Sequence, residues 1–159
     1  MAFDIETTLK NIQALVAKEL DLQAPNVVRI GQLRSATMEL DEKLTAAIFM
    51  APDGVDVVQA TLQKTIEVHK VVVRLVINLL RFDPEEVELL LARTASKVME
   101  ALCGDFDLGA TVRNVDVAGQ HSDGFGARWG NYAEENGPLW RYVDILVPLI
   151  VDDSATLVA

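Results

Sequence analysis

Residues 65–103 read TIEVHKVVVRLVINLLRFDPEEVELLLARTASKVMEALC, and the two halves of this stretch carry different periodicities. From Thr65 to Leu80 the chain is dominated by β-branched and other apolar residues. Val71, Val73, Leu75, Ile77 and Leu79 fall on one face of an extended chain. Val68, Val72, Val76 and Leu80 fall on the other, interrupted by Arg74 and Asn78. A strand that is apolar on both faces is covered on both, which places it inside a sheet. From Asp83 the pattern becomes helical. Asp83 is a candidate N-cap, Pro84 suits the first helical position, and Glu85 and Glu86 face the positive end of the helix dipole. Val87, Leu90, Leu91, Thr94, Ala95, Val98, Met99 and Leu102 then form one stripe at helical period. Gly104 is expected to end the helix in a left-handed conformation. Cys103, the single cysteine, closes the apolar stretch and is expected as a buried thiol.

Upstream, Asp4–Leu20 has the spacing of a first helix, with Asp4 as cap and Leu9, Ile12, Leu15, Val16 and Leu20 on its apolar face. Pro25 closes it, and Val27, Val28 and Ile30 predict a short strand ending at Gly31. Residues 33–50 are mixed and fit a loop, an edge strand or a short helix, with 44–51 (LTAAIFMA) the better strand candidate. Pro52-Asp53-Gly54 predicts a turn, after which residues 55–64 lead into the central strand. Downstream, residues 105–109 predict a compact connection and Thr111–Val117 alternates like a half-buried strand. Residues 119–137, GQHSDGFGARWGNYAEENG, contain five glycines and predict an extended hairpin or protruding loop. Leu139–Val151 is the last strand, with Pro148 suited to an edge. The whole chain is expected to be one α+β domain spanning residues 1–159. It would be a mostly antiparallel twisted sheet with two main helices on one side and a long glycine-rich hairpin.

The net charge of −10 over 159 residues argues against wrapping nucleic acid, which needs Lys and Arg to neutralise phosphates. It is compatible with a wall that repels DNA passing close by. No apolar run approaches the ~20 residues of a membrane span, and the opening MAFDIETT lacks the pattern of a signal peptide. Folding in a cytosolic environment is the expectation. The two histidines, His69 and His121, have no Cys or His at metal-ligand spacing, so neither a metal nor a cofactor is expected. Asp83, Glu85, Glu86 and Glu88 are explained as helix-start chemistry, and Glu39, Asp41 and Glu42 as a solvated patch. Gly124-Phe125-Gly126 lacks the strand-to-helix context of a phosphate loop. No nucleophile elbow is present, so the chain is not expected to be an enzyme.

Interaction surface is more plentiful than reactive groups. The glycine-rich segment carries Phe125, Trp129 and Tyr132, which either staple a hairpin onto its own sheet or form an interface arm. The tail DDSATLVA ends in apolar residues, for which a partner subunit is one candidate cover.

The blocks IEVHKVVVRLVINLLRFDPEEVELLLARTASKVMEAL, DFDLGATVRNVDVAG and WRYVDILVPLIVDD resemble the tail terminator proteins of long-tailed bacteriophages. The shared points are the valine-rich strand, the acidic-start helix after it, the turn at Asp107-Leu108-Gly109, and a terminal strand with an aromatic start and aspartates at its end. The resemblance is close over residues 65–153 and holds only in outline over residues 1–64. It implies a virion subunit of the tail-neck region, made in the host cytoplasm, that forms a ring, usually a hexamer, on the last ring of the tail tube. Its partners would be itself, the tube protein and a head-tail connector or neck protein, with DNA only passing through the bore and no membrane involved. Interface candidates are His121, Asp123, Phe125, Arg128, Trp129 and Tyr132 in the hairpin, and Asp152, Asp153, Leu157 and Val158 at the C-terminal end. A head-tail connector of the same region is the related alternative. A small α+β enzyme or ligand-binding domain is the alternative from another class, and it would need a pocket built on His69, Arg74 and Asn78.

Overall fold

A computed structural model describes residues 3–21, 28–31, 46–61, 64–79, 83–105, 107–133 and 139–152. In chain order the elements are α1 (Ile5–Glu19), β1 (Val28–Ile30), β2 (Ala46–Ala60), β3 (Thr65–Asn78), α2 (Pro84–Gly104), β4 (Asn114–Val115), β5 (Gly126–Ala133) and β6 (Leu139–Asp152). β3 is the central strand. It pairs antiparallel along its whole length with β2 on one side and, from Ile66 onward, with β6 on the other. β1 joins β2 in parallel at Ile48–Met50. The outer side of β6 is shared: β4 pairs with Leu149 and Ile150, and β5 with Leu139–Leu146. Among the described residues the sheet is therefore six-stranded and antiparallel in every pairing except β1–β2.

The two apolar faces of β3 have different covers. Val71, Val73, Leu75 and Ile77, with Val143, Ile145, Val147 and Leu149 of β6, lie under Leu9, Ile12 and Val16 of α1 and Val87, Leu91, Ala95, Val98 and Leu102 of α2. Each of these Val, Leu and Ile side chains contributes about 1.5–3 kcal/mol by leaving water. Both helices thus sit on one face, the α+β arrangement that the periodicities predict. The other face of β3 presents Val68, Val72 and Val76, which are also buried, as are Phe49, Trp140 and Ile150. Both helix starts are capped as expected. Asp4 Oδ1 accepts from the backbone N–H groups of Glu6 and Thr7, and Asp83 Oδ1 accepts from that of Glu85.

Four local expectations are corrected. The chain does not turn at Pro52-Asp53-Gly54. β2 runs straight through, because residues 51–60 find partners along β3, and the extra residue Asp53 is absorbed as a bulge between Pro52 and Gly54. Proline is tolerated there because no described strand pairs with the outer side of β2 beyond Met50. Gly104 is the last residue of α2 and Asp105 caps it at φ −114°. The left-handed residues come later, at Leu108, Gly109 and Ala110 (φ 49°, 70° and 64°). Buried Leu108 anchors that strained turn, with Asn11 Nδ2 donating to its carbonyl at 3.0 Å and Gly109 N–H donating to Asp105 Oδ1. Cys103 is exposed, since it lies one position past Leu102 and turns off the buried stripe. Finally, only Asn114–Val115 of residues 111–117 is strand. Val112 and Val115 both enter the core, and that three-residue spacing is not an alternation. The acidic patch Glu39, Asp41 and Glu42, and the residues Pro25 and Val27, lie outside the described residues.

Candidate interaction surface

The glycine-rich segment is neither a free arm nor a simple hairpin. Its first part is a loop tied to one carboxylate. Asp116, only 1% exposed, accepts at Oδ1 from Gln120 N–H (2.8 Å) and at Oδ2 from His121 N–H (2.9 Å) and Ser122 Oγ (2.7 Å). Burial pushes this carboxyl upward in pKa, but the three donors outweigh it and hold it below the usual carboxylate value. Gly119 and Gly124 face each other with positive φ (72° and 86°), and a side-chain carbon on Gly119 would press on the backbone of Ser122 and Gly124. The loop is therefore built to one shape, which fixes where Asp123 stands and brings half-buried Phe125 against the core.

Its second part is β5, laid against β6. Gly130 leaves room there for the Tyr142 ring, which would have to move aside for a side-chain carbon at that position. Arg128 is exposed and forms no ion pair with a described residue, and Trp129 is 45% exposed. Tyr132 lies opposite Trp140 in the backbone register, and its side chain is outside the described residues. The structure thus separates the aromatic candidates, with Phe125 turned inward and Trp129 outward. His121 is half-buried. Asp152 is exposed and its Oδ1 accepts from Arg113 Nη1 at 3.3 Å, whereas Asp153, Leu157 and Val158 lie outside the described residues.

The polar residues of β3 do not converge. Arg74 donates from Nε to Asp144 Oδ1 (2.6 Å) and from Nη2 to Asp144 Oδ2 (2.8 Å), directly across the β3–β6 pair, with its guanidinium 4.0 Å from the Tyr142 ring centre. His69 lies on the opposite face, 2.9 Å from Glu67 Oε2 and packed on Phe3. A cleft of about 530 Å³ at the start of α1 and one of about 210 Å³ between Asp53, Lys70, Asp123 and Arg128 are lined by other residues. Among the described residues no cluster of His, Cys, Asp or Glu is arranged to hold a metal ion. No helix among them is long and apolar enough to cross a membrane.

One surface escapes the sequence reading. Among the described strands β2 is an edge beyond Met50, and Val55 and Val57 stand 53% and 60% exposed on the same side of the sheet as the helices. The signal is the Val55-Asp56-Val57 alternation, which reads as strand only once residues 52–54 are not a turn. With this geometry in place, comparison adds no relative: no protein-family model matches the chain, and no curated protein matches it.

Proposed function

We propose that the chain is a ring-forming virion subunit of the tail-terminator type. It caps the tail tube, ends tube growth and offers the surface to which the head side joins. The observation that carries this reading is a single sheet with two unlike edges, β2 beyond Met50 on one side and β5 on the other. A subunit with two different association surfaces joins head to tail, and such contacts generate a ring when the rotation closes. The likeness of residues 65–153 to tail terminators supports the same reading, as does the order of helix, paired strands, acidic-start helix and long terminal strand. The net charge of −10 gives a bore that repels DNA, so that DNA passes without sticking. The Arg74–Asp144 pair, internal to the sheet, suits a platform that holds surfaces in register.

The test is sedimentation and negative-stain imaging with tail tubes. The purified protein is expected to be monomeric or weakly associated alone and to appear as a ring at one end of each tube. A monomer that never associates with tubes overturns the proposal.

A further inference from the structure

The two edges that no other described strand pairs match each other, and we infer that they are the two halves of one subunit–subunit contact. In it, β5 of one copy pairs antiparallel with residues 54–57 of β2 in the next. The inference rests on the ring reading and adds its register.

Direction comes first. β2, β3, β6 and β5 alternate in direction across the sheet. A second copy placed edge to edge in the same orientation therefore brings its β2 antiparallel to β5, which continues the alternation of the sheet across the contact. Side-chain faces agree as well. Val55 and Val57 lie opposite His69 and Glu67, and Trp129 lies opposite Val143, so all three are on the helix-bearing face. Asp56 lies opposite Val68 and Arg128 opposite Asp144, on the other face.

One register satisfies every pair at once. Trp129 meets Val55, Arg128 meets Asp56, and Ala127 meets Val57. An exposed aromatic is covered by an exposed valine, and Arg128 joins a carboxylate that Lys70 of the same subunit already holds at 2.6 Å, so that Asp56 stands between two cations. Gly130 meets Gly54, where neither strand projects a side chain. β1 stops opposite Met50, so the contact does not collide with it. Val55, Val57 and Trp129 are three of the seven large apolar residues exposed on the described surface, and one contact buries them all.

The offset between the edges sets the geometry of the assembly. Arg128 stands at the level of Arg74, and Asp56 at the level of Val68. That difference along β3 is roughly 20 Å at about 3.3 Å per residue, and the four strands from β2 to β5 span about 19 Å. Successive copies are therefore staggered, and a closed ring has its strands inclined roughly 45° to the ring axis, close to the tilt of closed β-barrels.

The experiment is disulfide trapping in full-length protein carrying Cys103→Ser. Val55→Cys and Trp129→Cys are made separately, and both sites are exposed. Oxidised in concentrated solution, the mixture is expected to give a covalent dimer and neither variant alone to do so, because the contact is heterologous. Asp56→Cys with Arg128→Cys is a second pair in the same register, which covers a folding failure of the first. Leu89→Cys on α2, exposed but outside the contact, replaces Val55→Cys as the control. Dimer from a single variant, or equal dimer with the Leu89→Cys control, overturns the inference. Absence of cross-linking in both pairs, while wild-type protein forms rings on tubes, overturns the edge contact and leaves the ring reading standing. Cross-linking without any association with tubes supports the contact and overturns the ring reading.

Discussion

Replacing Arg74 by methionine removes the cation from a pair whose side chains are only 17% and 18% exposed. Asp144 is then left without its cation in a site that water reaches poorly, and the Tyr142 ring loses the guanidinium that had stacked on it. Breaking a fully buried pair costs about 3–5 kcal/mol. The remaining exposure lets water solvate part of Asp144, which lowers this to about 2–3 kcal/mol, and the lost cation–π contact adds up to about 1 kcal/mol. A total near ~3 kcal/mol corresponds to a fall in Tm of roughly 6–12 °C for a chain of this size. Arg74→Met combined with Asp144→Leu replaces the pair by apolar groups on a face already lined by Val72 and Val76, and is expected to recover most of that loss. Urea unfolding followed by circular dichroism, carried out as a double-mutant cycle, measures the coupling. Additive single and double variants, or an Arg74→Met loss below ~0.5 kcal/mol, would refute the view of this pair as an internal tie between β3 and β6.

Four further outcomes are expected. Asp116→Ala leaves three donors without their acceptor and is expected to cost about 2–3 kcal/mol, read as lost hydrogen-exchange protection at Gln120 and His121. Because the folded state holds this carboxyl below its usual value, its stabilisation is present above pH ~4 and is lost as pH falls through the folded value. The wild-type and Asp116→Asn stabilities should therefore converge on acidification, and a gap that widens below pH ~4 would contradict this. Gly130→Ala forces the new methyl into the Tyr142 ring and is expected to destabilise by about 1–3 kcal/mol in a thermal melt, less so in a Tyr142→Leu background. Asp4→Ala removes the α1 cap and should cost about 1 kcal/mol by the same measurement.

The elements at residues 65–103 are legible because their information is local. Periods of two and of 3.6, a capping aspartate and a proline at the first helical turn specify β3 and α2 to within two residues. Residues 52–54 mislead for the opposite reason. Pro-Asp-Gly favours a turn in isolation, and only pairing with Val68–Val72, which is non-local, makes it a bulge in a long strand. Gly104 misleads similarly, because the left-handed turn is set by the burial of Leu108 four residues later. For the interaction surface, composition identifies an aromatic glycine-rich segment but not which aromatic turns outward. Phe125 and Trp129 are separated by where the helices stop covering the sheet, and no spacing in the chain encodes that. Asp116 carries no local mark as the anchor of the loop after it.

The proposed role is to end tail-tube growth. Tube protein polymerising alone gives tubes of open-ended length, and electron micrographs record the length distribution. Adding this protein during polymerisation is predicted to shorten and narrow that distribution, with a ring at the tube end. An unchanged distribution at saturating protein, with no ring at either end, would contradict the proposed role.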